Sequence, residues 1–319
     1  MSIVTLPANQ RAVAPSAQSR MRVGFWGTRS SFSQQVLQQL LATIPVWHVA
    51  VPATEQCSPA VAALVDDAAD TSGGELRLLT PFVATDIVHL AWQQGTPAFA
   101  IRQLHSPDVQ SWLATQQLDV VCVACFPWRI PASLLAIPTY GFLNVHPSLL
   151  PAYRGPAPIF WQFHAGADEH GVTVHWMDAG FDTGALAAQQ RIHWPAGISG
   201  AEADHLCAQA GGQLLVETLA QVALGHCPHQ PQPPNGSSQP WPQATDFVLS
   251  PTWSAQRAFN FMRGTAEWQQ PYPIQLEDQQ LVLKAALAYD AHQTLNTPLL
   301  RKGAEVLIQF QPGVLRAQI

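Results

Sequence analysis

Short apolar segments of strand type alternate with segments of helical spacing along the first two thirds of the chain. Residues 21–26 predict a strand that Gly27 ends, and a helix follows with Ser30 or Ser31 as its N-cap. The apolar residues of this helix recur three and four positions apart, at Val36, Leu37, Leu40, Leu41 and Ile44. Residues 46–51 predict the next strand. Such alternation predicts an α/β domain in which helices cover a parallel sheet.

The alternation continues as far as residue 224. Further strands are predicted at residues 98–101, 120–126, 141–147, 172–177 and 185–194, and helices at residues 83–94, 107–116, 131–136, 156–166 and 199–224. Residues 54–79, rich in Ala, Asp and Gly, fit neither pattern. Ligands of open α/β sheets bind at the carboxyl ends of the strands, so we expect a site where the strand 141–147 ends.

A Pro-rich stretch, residues 228–242, divides the chain. Its prolines remove backbone donors and fix φ, so we interpret it as a linker. Beyond it, residues 254–263 predict a helix that ends at Gly264, and short alternating runs predict a small antiparallel barrel or sheet. The polar, Ala- and Ser-rich start of the chain resembles a disordered leader. The predicted organisation is a leader at 1–20, an α/β domain at 21–227, the linker at 228–242 and a barrel-like domain at 243–319.

The cysteines and histidines form no pattern of a disulfide framework or a metal site. Five scattered cysteines are an odd number in a large chain, which argues against disulfides. Cys122 and Cys125 make a C-x-x-C inside an apolar run, where we predict buried strand packing, with a redox or zinc role as the alternatives. The histidines His164, His170 and His175 lack the spacing of metal ligands, so we predict no metal.

The charge of the chain is unlike that of most nucleic-acid-binding proteins. The net charge is −6 and the only lysines are Lys284 and Lys302, so no basic cluster is available to hold phosphates. No apolar run approaches the roughly 20 residues that a membrane-spanning helix needs. The first residues also lack the pattern of a signal peptide. These features predict a cytoplasmic protein with no membrane partner.

Three polar residues stand where the predicted sheet would place a site. Asn144 and His146 lie two positions apart in a strand, which puts both side chains on one face, and Asp182 lies in the Gly-flanked loop AGFDTG. Each residue alone has an ordinary structural explanation: a turn-forming amide, a hydrogen-bonded core histidine and a capping carboxylate. The spacing of the pair favours a shared chemical role.

Taken together, these residues resemble the signature of the folate-dependent formyltransferase superfamily. That signature is an Asn-x-His pair running into Ser-Leu-Leu-Pro, here residues 148–151, with an Asp in a downstream loop. Residues 153–158, Tyr-Arg-Gly-Pro-Ala-Pro, are similar to a segment of methionyl-tRNA formyltransferases and of related sugar-amine formyltransferases. The resemblance implies a Rossmann-like formyltransferase domain followed by a small, OB-like β-barrel domain.

The resemblance also implies a reaction in which 10-formyltetrahydrofolate donates a formyl group to an amine. Asn144 and a protonated His146 would stabilise the oxyanion of the tetrahedral intermediate. Asp182 would keep the imidazole charged and accept a proton from the amine, directly or through water. Ser148 lacks the G-x-S-x-G elbow of a nucleophile, so we interpret it as a turn residue.

The resemblance places the pterin of the donor against the end of the strand 120–126 and the loop that follows. The residues expected to bind the folate are Phe126, Trp128, Arg129, Ile130, Ser148, Leu149, Leu150 and Pro151. Core packing is the alternative for Phe126 and Ile130. The chain has no G-x-G-x-x-G, which disfavours NAD.

The acceptor amine stays open at the level of sequence. The domain order and Arg154-Gly155 favour a methionyl-tRNA formyltransferase type, yet residues 41–76 contain no Lys or Arg where such enzymes carry a basic loop. The alternative is a small amine, such as a nucleotide-linked amino sugar or a natural-product amine. A third possibility is a non-catalytic folate-binding relative, against which the intact Asn144, His146 and Asp182 argue.

Overall fold

The computed structural model describes residues 21–53, 59–65 and 86–319. The predictions for the leader 1–20 and for most of the stretch 54–79 therefore lie outside the described residues. So do residues 83–85 of the helix predicted at 83–94; that helix begins at Ile87, after the N-cap Asp86. No helix among the described residues is both long and apolar enough to cross a membrane.

The first part of the chain forms one eight-stranded sheet and its helices. The strands are β1 Val23–Gly27, β2 Val46–Pro52, β3 Val61–Leu64, β4 Ala98–Ile101, β5 Val120–Ala124, β6 Gly141–His146, β7 His170–Trp176 and β8 Leu186–Ile192. The helices are α1 Ser31–Leu41, α2 Ile87–Gln93, α3 Pro107–Gln116, α4 Ala132–Leu135, α5 Pro158–Ala165 and α6 Gly200–Ala223. Strand β3 falls in the stretch that fitted neither pattern.

The sheet is parallel at its centre and antiparallel at both edges. Its order is β3-β4-β2-β1-β5-β6-β7-β8. The five strands from β4 to β6 run parallel, which confirms the predicted parallel sheet there. Strands β3, β7 and β8 are antiparallel to their neighbours. Strand β8 follows β7 too closely for the dozen or more residues that a parallel crossover needs.

The central strands are buried because helices cover both faces of the sheet. Every residue of β1 and β5 is buried, as the run of β-branched and small apolar residues predicts. Cys122 packs inside β5 as predicted, but Cys125 lies just beyond the strand and is exposed, so the prediction of buried strand packing was wrong for that residue. Burial raises the pKa of the Cys122 thiol, which keeps it protonated.

The helix starts follow the capping residues of the sequence. Ser30 accepts a hydrogen bond from the Ser33 amide at the start of α1. Ser199 and Glu202 form a capping box at the start of α6. These two helices pack on each other and cover the face of the sheet to which Val145 of β6 points. Gly211 of α6 lies against Val145, near the carboxyl end of β6.

The last part of the chain contains helix α7, Ala255–Gly264, and two antiparallel sheets. Strands β9 Tyr272–Leu276 and β10 Gln279–Leu283 form a hairpin. The second sheet has the order β11-β14-β13-β12, from Ala285–Asp290, Val314–Gln318, Glu305–Gln309 and Leu299–Lys302. These strands agree with the small barrel-like region that the alternating runs predict. Short 3₁₀ turns lie at Ala244–Phe247 and Ala266–Trp268.

Candidate active site

The carboxyl end of β6 brings the predicted polar residues together. Asn144 and His146 project from this strand, and Asn144 lies in register with His175 on the antiparallel neighbour β7. Asp182 lies in the loop between β7 and β8, with a left-handed φ of 54°. The loop folds back so that the carboxylate of Asp182 faces the end of β6.

The four side chains meet at the carboxylate of Asp182. Its Oδ2 lies 3.6 Å from His146 Nδ1, and its Oδ1 lies 3.5 Å from both Asn144 Nδ2 and His175 Nε2. Asn144 Nδ2 also lies 3.1 Å from His175 Nε2. The three residues singled out in the sequence are therefore neighbours, and His175 completes the cluster.

Hydrogen bonds define which nitrogen of each histidine carries the proton. His146 Nε2 lies 2.9 Å from the carbonyl oxygen of Tyr153, so it donates to that oxygen and leaves Nδ1 facing Asp182. His175 Nδ1 lies 3.0 Å from the carbonyl oxygen of Trp176. It donates there, and its Nε2 accepts from the amide of Asn144.

Burial favours a neutral His146 in the free protein. Desolvation lowers the pKa of His146 below its ordinary value, and the nearby His175 lowers it further. The charge of Asp182 and the carbonyl of Tyr153 act in the opposite direction without reversing the shift. The free site thus favours the neutral imidazole over the protonated form that the family resemblance implies.

The surroundings of Asp182 favour its carboxylate form despite its burial. Burial alone would raise the pKa of its carboxyl group, but positive charge arising on His146 or His175 and the hydrogen bond from the Gly155 amide hold that pKa well below its usual range. The Gly155 N–H donates to Asp182 Oδ2 over 2.8 Å. An anion beside a neutral imidazole makes a pair that can accept a proton.

Position 155 accepts only glycine without rearrangement. Its φ is +113°, which L side chains rarely adopt, and a Cβ there would lie 2.2 Å from the carbonyl oxygen of Gln239. The amide that binds Asp182 therefore comes from a segment in close backbone contact with residues 228–242.

The residues predicted to bind the folate divide between core and surface. Ile130 is 1% exposed and packs in the core under the sheet, where Phe126 lies 5.4 Å from the ring of Trp26. Trp128 is 36% exposed, and the guanidinium of Arg129 lies 6.0 Å from the centre of the Phe181 ring. The surroundings of Ile130 agree with core packing, which was the alternative to folate binding for this residue.

The Ser148–Pro151 turn is held by its own hydrogen bonds. Ser148 Oγ donates to the carbonyl oxygen of Ala152 over 2.7 Å, in agreement with its interpretation as a turn residue. The Leu150 amide donates to Thr173 Oγ1 on β7, and the carbonyl oxygen of Pro151 accepts from the Ser237 amide. Leu149 packs beside Gly171. The turn that follows β6 is thereby hydrogen-bonded to β7.

Sequence reasoning missed His175 and Gln232. His175 appeared only as a histidine without metal spacing, although it shares one face of the strand 172–177 with Thr173. Gln232 lies in the presumed linker and bonds the backbone of Asp182. The register between β6 and β7 places His175 in the site, and the path of the Pro-rich segment places Gln232 there. Neither the register nor the path can be inferred from the neighbouring residues in the sequence. Within the described ranges no group of three or more His, Cys, Asp or Glu residues could hold a metal ion.

Known proteins match the sequence and the fold of this chain. The chain is 38% identical over 167 residues to a methionyl-tRNA formyltransferase from Chromohalobacter salexigens, covering 52% of this chain and 50% of the relative. It is 32% identical over 257 residues to one from Xanthomonas campestris pv. campestris (strain 8004), covering 78% and 81%. An N-formyltransferase from Helicobacter canadensis, in complex with folinic acid and dTDP-3-aminofucose, has the same fold with a TM-score of 0.66 at 13% identity, over 93% of this chain and 98% of that one.

These matches differ in how much of the relatives they span. The chain covers between 50% and 63% of the length of four methionyl-tRNA formyltransferases, among them the one from C. salexigens. Residues 50–219, more than half of the chain, match the model of the formyl transferase family. This region contains the whole cluster around Asp182, and the chain belongs to the formyl transferase family.

Proposed function

We propose that the protein transfers a formyl group from 10-formyltetrahydrofolate to an amine, through Asn144, His146 and Asp182. The observation that carries the proposal is the convergence of Asn144, His146 and Asp182 at β6, where Asp182 Oδ2 lies 3.6 Å from His146 Nδ1 and Asp182 Oδ1 lies 3.5 Å from Asn144 Nδ2. Formyl transfer requires a base for the amine proton and donors for an oxyanion, and these side chains supply both. Family membership supports the same reaction.

His146 and Asp182 take up the proton in this mechanism. The amine nitrogen bonds to the formyl carbon, whose carbonyl becomes an oxyanion, and the nitrogen loses a proton. Nδ1 of His146 is the free basic nitrogen, and Asp182 Oδ2, 3.6 Å away, stabilises the imidazolium that forms. The bond from the formyl carbon to N10 then breaks, and the proton passes to N10, so tetrahydrofolate leaves neutral at that atom. The protonated His146 therefore arises during the reaction.

Asn144 supplies the neutral donor to the oxyanion. In the free protein its two amide hydrogens point to His175 Nε2 at 3.1 Å and to Asp182 Oδ1 at 3.5 Å. The second contact is long for a hydrogen bond, so it is the one that a reacting oxygen would replace. His175 keeps hold of the same amide group and orients it. Its own proton stays on Nδ1, bonded to the Trp176 carbonyl.

The donor is proposed to lie against the loop that follows β5. Trp128 and Arg129 offer a flat ring and a guanidinium at the surface of this loop, which suit a ring system with amide edges, and the half-buried Phe126 packs against Trp128. Ile130 would shape this loop from the core side. The Ser148–Pro151 turn would contribute backbone groups. The folinic acid of the H. canadensis structure supports a folate in this fold.

Methionyl-tRNA is the acceptor that the relatives favour. The X. campestris relative, matched over 81% of its length, is a methionyl-tRNA formyltransferase. A small amine is the second candidate, favoured by the net charge of −6 and the two lysines, because a small acceptor needs no basic surface. The predicted cytoplasmic location fits both acceptors.

The first experiment tests the three residues. Asn144→Ala and Asp182→Ala should each reduce formyl transfer at least about 100-fold, because each removes a group that acts on the transition state. Asp278→Ala, at the exposed tip of the β9–β10 hairpin, is the matched control and should transfer at the wild-type rate. Release of tetrahydrofolate and of formylated product are both measured. Near-normal activity in either site variant would remove that residue from the mechanism.

The second experiment separates the acceptors. Formyl transfer is measured with methionyl-tRNA and with a nucleotide-linked amino sugar. If tRNA is the acceptor, its affinity should fall steeply with salt, since binding releases counterions from the phosphates. Turnover of the sugar alone, with no salt-dependent binding of tRNA, would replace methionyl-tRNA by a small amine.

A further inference from the structure

Residues 228–242, here called the bracing segment, lie across the loops that form the site. At its start the backbone of Gln230 pairs with Leu186 through two hydrogen bonds of 2.8 and 2.9 Å. The indole Nε1 of Trp176 donates to the carbonyl oxygen of Pro228 over 2.7 Å. This end of the segment is thereby attached to both sides of the β7–β8 loop.

The far end of the bracing segment is attached to the loop after β6. Ser237 accepts from the Tyr153 amide through Oγ at 2.8 Å and from the Arg154 amide through its carbonyl oxygen at 3.0 Å. The Ser237 amide donates to the carbonyl oxygen of Pro151, and the Gln239 amide donates to that of Arg154. One segment therefore holds both loops that meet at the carboxylate of Asp182.

Gln232 links the two loops through its side-chain amide. Its Oε1 accepts from Arg154 Nε at 3.1 Å and from Arg154 Nη2 at 2.6 Å. Its Nε2 donates to the carbonyl oxygens of Asp182 and Gly184, each at 2.7 Å. Both hydrogens of the amide and its oxygen are used, so the side chain has one orientation that satisfies every partner.

We propose that Gln232 is a positioning residue, which fixes the carboxylate of Asp182 against His146 by tying the Asp182 loop to Arg154. Asp182 has a left-handed backbone that the chain adopts reluctantly, so its conformation must be held from outside. Gln232 holds its carbonyl oxygen, and the amide of Gly155, the residue after Arg154, holds its side chain. The role rests on the proposed function.

The same link also bears on His146. The Tyr153 carbonyl that accepts from His146 Nε2 belongs to the residue before Arg154. Gln232 therefore connects the acceptor of one nitrogen of His146 to the carboxylate that faces the other. If the link is broken, the distance between His146 Nδ1 and Asp182 Oδ2 is no longer set by the fold. Displacement of a reacting group by about 1 Å can cost about 100-fold in rate.

The kinetic test compares Gln232→Met, Gln232→Glu and the control Gln230→Met. Methionine keeps the length of the side chain without its hydrogen bonds, whereas glutamate still accepts from Arg154 but cannot donate to the two carbonyls. Gln230 is exposed and contributes to the segment through its backbone. Both Gln232 variants should lose about 10- to 100-fold in kcat, with KM for 10-formyltetrahydrofolate within about threefold of wild type. Gln230→Met should transfer normally.

A second readout does not depend on activity. The pKa of His146 is measured by NMR titration of its ring protons in the wild type, Gln232→Met and Gln230→Met, with thermal unfolding as a check of the fold. His146 faces Asp182, His175 and the Tyr153 carbonyl, and the charge of Asp182 opposes the effect of burial. The pKa should therefore fall in Gln232→Met and stay unchanged in Gln230→Met.

The outcomes separate the two proposals. Wild-type protein that transfers no formyl group would overturn the proposed function, while the titration would still report on Gln232. Wild-type kcat in either Gln232 variant, or an unchanged His146 pKa in Gln232→Met, would overturn the positioning role. If Gln232→Met fails to fold, the kcat of Gln232→Glu decides.

Discussion

At the scale of single residues, the backbone of Gly155 is expected to be as important as the side chains around it. Gly155→Ala adds a Cβ 2.2 Å from the Gln239 carbonyl oxygen at a φ of +113°. Backbone strain and overpacking should together lower the free energy of unfolding by about 3 kcal/mol. The Gly155 amide would also withdraw from Asp182, so kcat should fall about 10-fold or more. Urea denaturation and formyl transfer measure the two effects.

Gly95→Ala is the control that separates the effect of backbone strain from the effect of the steric clash with Gln239. Gly95 also has a positive φ, +69°, but a Cβ there would meet nothing within 4 Å. The substitution should lower the free energy of unfolding by only about 1 kcal/mol and leave formyl transfer unchanged. Equal losses of stability in the two variants would show that the contact with Gln239 is unimportant.

Single residues also show where sequence reasoning reaches its limit. Asn144 and His146 were predictable because the alternation of side chains puts both on one face of a strand whose carboxyl end was expected to carry the site, and Asp182 because the family resemblance includes it. His175 and Gln232 were not, because each joins the site through pairing with a segment distant in sequence. Local patterns carry no information about such partners.

At the scale of elements, Arg257 connects α7 to the end of α5. Its Nε and Nη2 donate to the carbonyl oxygen of His164 at 3.1 and 2.5 Å, and its guanidinium lies 4.0 Å from the centre of the Trp253 ring. This carbonyl is in the last turn of α5, where helix carbonyls lack partners within the helix. Arg257→Ala should lower the free energy of unfolding by about 2 kcal/mol, since hydrogen bonds to charged groups are strong.

Two further variants make the role of Arg257 specific. Arg257→Lys keeps the charge but not the paired N–H geometry, so its stability should lie between those of the wild type and Arg257→Ala. Arg316→Ala removes an exposed cation 3.9 Å from Glu305 and should change stability by less than about 1 kcal/mol. Chemical denaturation followed by tryptophan fluorescence measures all three. A loss in Arg316→Ala as large as that in Arg257→Ala would refute the argument.

Element boundaries were predictable where the residues that end them are local. Helix α3 has the predicted bounds, and Ser30, one of the two predicted N-caps, caps α1. The direction of the edge strands was not predictable in the same way. Strands β7 and β8 read as ordinary strands, and only the shortness of their connection distinguishes a hairpin from a crossover.

At the scale of the whole molecule, the fold class followed from alternation and the acceptor did not. Burial of both faces of a parallel sheet imposes a composition on every central strand, so β1 and β5 reveal the class. An acceptor site is formed by surface side chains whose identity no folding requirement constrains. The proposed domain limits at 227 and 243 stay predictions, although the bracing segment between them packs closely on the site.

Acid stability of the whole molecule should depend on histidines that fold in the neutral form. Burial lowers the pKa of His48 to about 3 and that of His170 to about 4. His48 Nε2 accepts from the indole of Trp26 at 3.1 Å, and its Nδ1 has no hydrogen-bond partner. Both values lie below the ordinary histidine pKa of about 6.5. At a pH between the folded and the unfolded pKa, the unfolded chain therefore binds more protons than the folded chain. The contribution of these two histidines to the free energy of unfolding should be fully present above about pH 6.5 and be lost as the pH falls toward 4.

His48→Gln tests this expectation, because glutamine can accept from Trp26 and does not titrate. The free energy of unfolding is measured by urea denaturation between about pH 4 and pH 8. Below about pH 6 its slope against pH should be smaller in the variant by about 1.4 kcal/mol per unit, the contribution of one proton. Burial raises the pKa of Asp204 to about 6, which acts with the opposite sign but equally in both proteins. His226→Gln, on the surface, is the control variant. Equal slopes in the wild type and His48→Gln would mean that His48 is solvated, and that the core beneath β2 admits water.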